Sequence, residues 1–564
     1  MLIKKNTDPQ VFNRKSIVRF KNLLRYISIF SLVLTILSLS WFLSVILQNN
    51  PEEAKDKLAN TAVSVINIPS LLYNIPLKII NNFNSDHEVL YINIKPKQYQ
   101  KIIMSKNNAL ENHIILDKYK KFINAEVTYV GKTLNAKIRL KGAVASNHLD
   151  TPKWSFRMKI EDGSLLEMET FSLQHPKRRS YVTEYLYHLL AEDNGLIVKK
   201  FGLVPVNING VYKGIYNFEE ILDSNFTTRE FGANKAVIIF DDSINNQEGN
   251  TGQDASYYGS VIVPDGSKKY ILDDPILKNS FQSAVNLLES YRTGNLKSSE
   301  VFDVDKLAKW LALGDILGAW HGFAWGNVKF IFSDKNNNLI PTVWDSTDEN
   351  NTANHDNYLR YRVFRLNDSY MDPGSAFWKG IFDDNRIVSL YLMYLEKYTD
   401  PEFLDNFLIN NQNDINNYMD LLNLDYPSMR IQEEIERIRG NSRYIRNAYI
   451  HTEQPFNSYF DNFSEGILTL YLKNRKPTPI LIHHLLDLST NKIYKVDNNA
   501  ILARNLPKNV IPPLRDYHVS EASFIIKVGS DFNDQSFDNF KVVGSVLGTS
   551  KLVQVGINNW KLPK

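Results

Sequence analysis

The sequence predicts an α+β protein in which a strand-rich lobe is followed by a helical lobe, with one transmembrane helix before them and a β-sandwich-like domain after them. Residues 26–47 carry no charged side chain, which is typical of a membrane-spanning helix. From His87 onward, alternating apolar residues predict short strands, and between residues 275 and 448 the apolar spacing predicts mostly helices. From about Pro455, short strands separated by turns return, as in a small sandwich.

The N-terminal region predicts a single-pass membrane anchor. Residues 1–25 carry seven lysines and arginines, and a helix over 26–47 would cross a hydrocarbon core of roughly 30 Å. Because basic flanks remain cytoplasmic, we expect the N-terminus in the cytoplasm and the bulk of the chain outside the cell membrane. A cleaved signal peptide is the alternative, but the apolar run is long for one. Residues 48–86 are expected to be a juxtamembrane linker, lying on the bilayer or packed on the main domain.

The composition excludes several classes of function. The 564 residues include no cysteine, which excludes disulfides, thiol nucleophiles and thiolate metal sites. The formal net charge is +3 and no long basic stripe occurs outside the N-terminus, so no nucleic-acid partner is expected. The chain also lacks the GxSxG, HExxH and Walker-type phosphate-loop patterns.

Two predicted strands each place a pair of basic side chains on one face. Arg139 and Lys141 share a face of one strand, and Arg157 and Lys159 share a face of the next, because alternate strand residues point the same way. Such pairs usually lie on solvated faces, but they can also bind anions. The sequence leaves both interpretations open.

An acidic residue ends the second strand of a predicted hairpin. The apolar run LIPTVW leads directly into Asp345, and Asp348 follows in the same turn. Two lobes with a cleft between them are a common ligand site, and an acid at a strand end beside a cleft can hold a cation. It can equally be an ordinary way to end a strand.

Five segments, in order, resemble the spore-coat protein H (CotH) kinase-like family. They are AKIRLKG (136–142), PKWSFRMKI (152–160), VNINGVYKGIYNFEEILD (206–223), FDVDKLAKWLALGDILGAWHGFAWGNVKFIF (302–332) and LIPTVWD (339–345). The resemblance covers about residues 87–450 and leaves out the region 455–564. It implies an atypical protein-kinase-like, bilobal fold that transfers phosphate from ATP, with Mg²⁺ or Mn²⁺, to a secreted or envelope protein.

The resemblance also implies roles for individual residues. Asp345 would be the main metal ligand, and Asn327, just before the hairpin, would take a second metal position; both offer hard oxygen donors. Asn327 could instead cap the turn before its strand. One cation of Arg139, Lys141, Arg157 and Lys159 would pair the nucleotide phosphates.

Two acids would complete the site. Glu184, on the helix predicted over residues 180–196, would hold the phosphate-binding cation, as the helix glutamate does in ordinary kinases. It could also be a helix-surface acid. Glu220 lies six residues after Gly214, where the family has an acid, and is expected at the junction of the lobes.

The chain departs from the family pattern at two points. The stretch AWHGFAWGN contains no acid in the role of the catalytic-loop aspartate, so His321 is the candidate general base, unless it is a packed histidine. The second metal aspartate is one place late, at Asp348. Two alternatives therefore stay open: a catalytically degenerate kinase-like binding module, and an envelope or polysaccharide-associated scaffold.

Overall fold

The first lobe is a closed β-barrel of seven strands. The computed structural model describes residues 87–142, 153–241, 261–264, 273–319, 321–323, 327–346, 375–496, 500–504, 521–529, 532 and 537–558. The barrel strands are β1 (Leu90–Asn93), β2 (Ile123–Tyr129), β3 (Lys132–Leu140), β4 (Phe156–Ile160), β5 (Thr170–Gln174), β7 (Phe201–Ile208) and β8 (Val211–Glu220). Their order is β1-β2-β3-β4-β5-β8-β7, and β1 pairs with β7 to close the barrel.

Alternation along the strands fills the barrel. In β3, Leu134, Ala136, Ile138 and Leu140 are buried, and the intervening residues face outward. The turn predicted at Asn209-Gly210 is confirmed: both residues have positive φ, of 50° and 81°, as a two-residue hairpin turn requires.

A second sheet and the helices form the other lobe. The sheet strands are β6 (Ile197–Val198), β9 (Val237–Asp241), β10 (Val261–Pro264), β11 (Lys329–Ser333) and β12 (Asn338–Val343), in the order β10-β9-β11-β12-β6. The helices are α1 (Pro96–Asn112), which packs on the barrel, α2 (Thr183–Asp193), α3 (Ser224–Phe231), α4 (Pro275–Arg292), α5 (Ser298–Val301), α6 (Val304–Leu317), α7 (Ser375–Phe382), α8 (Asn385–Tyr398), α9 (Pro401–Asn410), α10 (Gln412–Asp425) and α11 (Ile431–Ile445).

The C-terminal region forms a single curled sheet. Its strands are β13 (Phe456–Ser464), β14 (Ile467–Asn474), β15 (Ile480–Asp487), β16 (Lys492–Lys495), β17 (Ile501–Leu502), β18 (Glu521–Lys527), β19 (Phe540–Val546) and β20 (Leu552–Asn558). Instead of two separate sheets, as the sandwich prediction implied, the eight strands share one hydrogen-bonded order, β16-β15-β19-β20-β13-β14-β18, with β17 beside β15. The end strands approach each other through a bridge between Val496 and Ile526.

The predicted fold class is corrected with respect to its transmembrane helix. Among the residues that the structure describes, no helix is both long and apolar enough to cross a membrane. Residues 26–47, which carried the prediction, and the expected linker 48–86 lie outside the described residues. The fold is therefore α+β, with a barrel lobe, a helical lobe and a curled C-terminal sheet, and a single-pass location in the cell membrane is not supported.

Candidate active site

Asp345 lies just beyond β12, where the chain turns between the two lobes. Its backbone is left-handed, with φ of 47°, a conformation that aspartate tolerates better than most residues. Arg179 Nη1 contacts the carboxylate, and His321 Nδ1 donates to the Asp345 carbonyl at 2.9 Å. The next backbone N–H, of Ser346, donates to Glu184 Oε1 at 3.3 Å. The side chain and the backbone on either side of it are thus held in one orientation.

Glu219 is the centre of the charge network. Its side chain is fully buried at the end of β8, and Arg179 Nη2 donates to its two oxygens at 3.0 and 3.2 Å. Lys141 Nζ lies 3.1 Å from Glu219 Oε2, and Lys199 and Gln174 also donate to this carboxylate. A buried carboxylate is stable only when it is paired, and here three cations surround it.

Arg179 joins the two carboxylates. It contacts Glu219 with one part of its guanidinium and Asp345 with another. Burial by itself would raise the pKa of Asp345, but the charge of Arg179 and the hydrogen bond with His321 hold that pKa well below its usual range. Burial would likewise raise the pKa of Glu219, and the charges of Arg179, Lys141 and Lys199 lower it further than burial raises it.

Lys141 is the cation with the most perturbed pKa. Burial lowers its pKa to about 7; Glu219 opposes this shift, and the charges of Arg179 and Arg157 add to it. A lysine with such a pKa gains or loses its charge near neutrality. A phosphate bound beside it would favour the charged form.

Trp344 extends the network on the other side of Asp345. Lys199 Nζ lies 4.1 Å, and Lys329 Nζ 3.9 Å, from the centre of its ring, which is the distance of a cation–π contact. The cluster defined by these contacts has four cations and three carboxylates: Lys141, Arg179, Lys199, Lys329, Glu184, Glu219 and Asp345. Below the lowered pKa of Lys141, the cluster carries an excess of one positive charge, which favours an anionic ligand.

The family model named CotH kinase protein matches residues 138–447, more than half of the chain. The chain belongs to the CotH kinase protein family. The matched segment contains all seven residues of the cluster and ends before the curled C-terminal sheet. The resemblance predicted from the sequence is confirmed, and kinase-like function follows at the level of the family. No curated protein matches the chain.

Among the basic strand residues predicted in this CotH kinase domain, Lys141 alone has an ion pair with Glu219. Arg157 lies close enough for its charge to lower the pKa of Lys141. Arg139 donates to the carbonyl of Leu140 at 3.0 Å. Lys159 is exposed. Arg157 and Lys159 are alternate residues of β4, whereas Lys141 follows the end of β3, and the four residues differ in their contacts with the cluster.

Glu184 belongs to the cluster, but its partners differ from the strand cation that was predicted for it. It is fully buried on α2 and contacts His188, one turn further along the helix, at 3.4 Å. Burial would raise the pKa of Glu184, but His188, Lys199 and Arg179 lower it. The strand lysine that Glu184 was expected to hold is instead held by Glu219.

Glu219, and not its neighbour Glu220, faces the cluster at the end of β8. Adjacent strand residues point to opposite faces, so only one of the two can face the cluster. Glu220 accepts hydrogen bonds from Arg229 and from the backbone N–H of Lys200 at 2.8 Å. Glu219 was missed because the family spacing drew attention to its neighbour; alternation along the strand was the signal that could have separated them.

Arg179 was also missed. It lies in the run PKRR, which forms a short 3₁₀ helix over Pro176–Arg179 just before α2. Three consecutive basic residues in a sequence usually indicate solvated surface. Nothing in the local pattern distinguishes Arg179 from Lys177 and Arg178, and its burial results from the packing of this 3₁₀ helix against β8 of the barrel.

The side-chain oxygens of Asp345 and Asn327 are of the kind that binds Mg²⁺ together with a nucleotide. Within the described part of the chain, no group of three or more His, Asp or Glu side chains could hold a metal ion by itself. Mg²⁺, however, is commonly held by one or two carboxylates together with substrate phosphates and water. Asp345 Oδ1 is buried, and its polar contacts among the described residues are Arg179 Nη1 and, at 3.5 Å, His321 Nδ1. Asn327 Nδ2 donates to the His321 carbonyl at 3.0 Å, which places its amide near Asp345. Asp348, the other predicted metal ligand, lies outside the described residues.

Proposed function

We propose that this CotH-family protein is an ATP-dependent phosphotransferase whose acceptor is a secreted or envelope protein. The observation that carries the proposal is the cluster around Glu219 and Asp345, in which cations outnumber carboxylates at the junction of the two lobes. Phosphoryl transfer needs positioned cations and hard oxygen donors more than it needs covalent chemistry. The cluster offers both within one network.

The cations would bind and orient the phosphates. Lys141 is 18% exposed and can reach a phosphate while its ammonium is held by Glu219. Arg179 is fixed by three hydrogen bonds to the Glu219 carboxylate, so its guanidinium loses little further freedom on binding. Asp345 and Asn327 would hold Mg²⁺ or Mn²⁺, which when bound neutralises charge on the phosphate oxygens.

His321 is held beside Asp345 rather than turned towards solvent. Burial would lower its pKa, but the hydrogen bond and the charge of Asp345 raise the pKa above its ordinary value. A raised pKa keeps the imidazole protonated over a wider pH range, which suits orienting Asp345 better than accepting a proton near neutrality. The role of His321 as general base stays a prediction.

A kinase-like binding module is the second candidate. Two observations favour it: Arg179 already pairs with Asp345, and the segment between Trp320 and Asn327 contains no acid. An arginine in that position can neutralise the carboxylate that a metal would otherwise neutralise. Such a site would bind a nucleotide or another anion without transferring phosphate.

One experiment separates the candidates. The full-length protein is incubated with γ-labelled ATP and Mg²⁺ or Mn²⁺, beside Asp345→Asn and the control Glu220→Gln, whose side chain lies on the other face of β8. Label transferred by the wild type and by Glu220→Gln, and lost in Asp345→Asn, supports the phosphotransferase. Metal-dependent ATP binding without transfer supports the binding module. If ATP neither binds nor reacts, the phosphotransferase and a nucleotide-binding module are both contradicted.

A further inference from the structure

A polar cavity of about 540 Å³ lies where the helical lobe meets the C-terminal sheet. One wall is the segment that follows α11, and the other is the turn between β14 and β15. Every lining residue is polar or charged: Asn447, His451, Thr452, Glu453, Gln454, Arg475 and Lys476. None of them belongs to the cluster around Glu219, so this is a separate place on the molecule.

Two cations and one carboxylate line this cavity. Arg475 and Lys476 are adjacent in the turn and form no ion pair with any described residue. The only acid in the lining, Glu453, is exposed and has no ion pair among the described residues either. Burial lowers the pKa of His451, and the charges of Arg446 and Lys551 lower it further, whereas the hydrogen bond that His451 donates to Glu396 opposes this shift. With Arg475 and Lys476 against Glu453, the lining carries an excess of one positive charge.

The turn that carries the two cations is held rigidly. Asn474 is fully buried; its amide donates to the carbonyls of Thr478 and Ala503, both at 2.8 Å, and its oxygen accepts the backbone N–H of Lys476 at 2.8 Å. The backbone N–H of Arg475 donates to the Pro455 carbonyl at 2.9 Å. A rigid backbone lowers the entropic cost of binding a ligand.

A buried hydroxyl on the opposite wall lacks a partner. Thr452 is 5% exposed, and its Oγ1 makes no hydrogen bond to any described residue. A buried hydroxyl without a partner costs free energy, and it can recover that cost from a ligand oxygen. The wall beside it is ordered, because Glu396 accepts hydrogen bonds from both the N–H and the hydroxyl of Ser550 and contacts His451.

We propose that this cavity is a binding site for a phosphate group, with Arg475 and Lys476 as its cations and Thr452 as a hydrogen-bond donor. The three features point to the same ligand class: a lining in which cations outnumber carboxylates, a preorganised turn and an unsatisfied donor. Phosphate offers several acceptor oxygens to such a set. The site is independent of the proposed phosphotransferase activity.

The test measures binding of inorganic phosphate to the full-length protein by calorimetry. Because the cluster around Glu219 can also bind phosphate, the measurement uses the Lys141→Gln background, in which that cluster is weakened. We expect Arg475→Gln/Lys476→Gln to weaken phosphate binding at least tenfold, and the control Lys495→Gln, an exposed cation on β16, to leave it unchanged. If the double variant binds phosphate as its parent does, or if Lys141→Gln alone abolishes binding, the proposal is overturned.

Thr452→Val gives a second, independent test. Because the hydroxyl has no partner among the described residues, its removal should leave the thermal midpoint unchanged or raise it in the absence of phosphate. The rise of that midpoint with added phosphate should be smaller than in the wild type. Equal midpoint rises in Thr452→Val, in the Arg475 and Lys476 variant and in the wild type would indicate an adventitious ion only, and would overturn the proposal.

Discussion

Glu219 and Glu220 are neighbours in β8, yet they have different partners. Glu219 points into the junction of the lobes, where Lys141, Arg179 and Lys199 surround it. Glu220 points the other way and pairs with Arg229. At the scale of single residues, the site is thus defined by which of two adjacent acids the strand turns inward, and that choice determines which cations stay charged.

Glu219→Gln should destabilise the protein far more than Glu220→Gln. The first change leaves two buried cations and the partly exposed Lys141 without their shared carboxylate, at a cost of about 3–5 kcal/mol in the free energy of unfolding. The second disrupts a pair whose arginine is 33% exposed, so the loss should be smaller. Guanidinium unfolding of the two variants measures the difference. Equal losses would contradict the central place of Glu219.

The affinity for ATP should fall as pH rises through neutrality. The pKa of Lys141 is lowered to about 7 in the folded protein, so this lysine is charged below that pH and loses its charge above it. Because a bound phosphate favours the charged form, the Kd for ATP should rise about tenfold between pH 6 and pH 8. Lys141→Arg stays charged throughout and should show only the change that ATP itself contributes. The same pH dependence in both proteins would exclude Lys141 as the titrating group.

At the scale of elements, the end of α10 is tied to the barrel. Asp425 is the last residue of α10, and its carboxylate accepts the backbone N–H of Ile215 in β8 at 2.7 Å. Lys153, just before β4, contacts the same carboxylate and donates to the Ile215 carbonyl at 2.8 Å. This approach is possible because Gly214, with φ of 86°, has no side chain where the carboxylate lies. A buried ion pair therefore joins a helix of one lobe to β8 and to the segment before β4 in the other.

Gly214→Ala should be strongly destabilising, and Gly131→Ala should be a matched control. Both glycines have positive φ, so each alanine costs about 1–2 kcal/mol of backbone strain. A side chain at Gly131 meets open space, whereas one at Gly214 meets the Asp425 carboxylate. The additional loss at Gly214, expected at about 3 kcal/mol from the displaced ion pair, is measured by urea unfolding. Equal losses at the two positions would show that the end of α10 can move away from the added methyl group without any further loss in the free energy of unfolding.

At the scale of the whole molecule, the helical lobe and the C-terminal sheet share one hydrophobic core. Leu392 and Leu395 of α8 belong to the same buried cluster as Phe456, Leu470 and Val542 of the sheet. Arg504 Nη2 adds a polar tie to Asp383 Oδ1 at 2.7 Å. The boundary predicted between residues 450 and 455 therefore crosses a continuous core, and we expect these two parts to unfold together.

Arg504→Gln should test this coupling. Its guanidinium is 8% exposed, and losing the tie to Asp383 should cost about 2 kcal/mol. If the shared core holds the parts together, calorimetry should show the midpoint lowered but a single transition for both. Arg439→Gln, at an exposed ion pair, should cost less than about 1 kcal/mol. Separate transitions in the wild type would contradict a shared core.

Several features of the fold follow from local sequence alone. The turn at Asn209-Gly210, the helix α2 and the hairpin that ends before Asp345 depend on turn chemistry and apolar spacing, which are properties of neighbouring residues. The family was also determined by the order of its segments. The sequence could not close the barrel or join the C-terminal strands into one sheet, because strand order depends on pairings far apart in the chain.

Some residues of the candidate site could likewise be predicted from the sequence, and others only from the tertiary structure. Asp345 and Lys141 could be named from the sequence, because each stands at a position that a strand and a family pattern mark. Arg179, Glu219 and Lys199 could not, since their importance comes from being brought together without water, and burial is a tertiary property. Sequence determined which charges the chain carries and how its strands alternate; the packing of the two lobes decided which of those charges pair, because only there does desolvation make an unpaired charge too costly to keep.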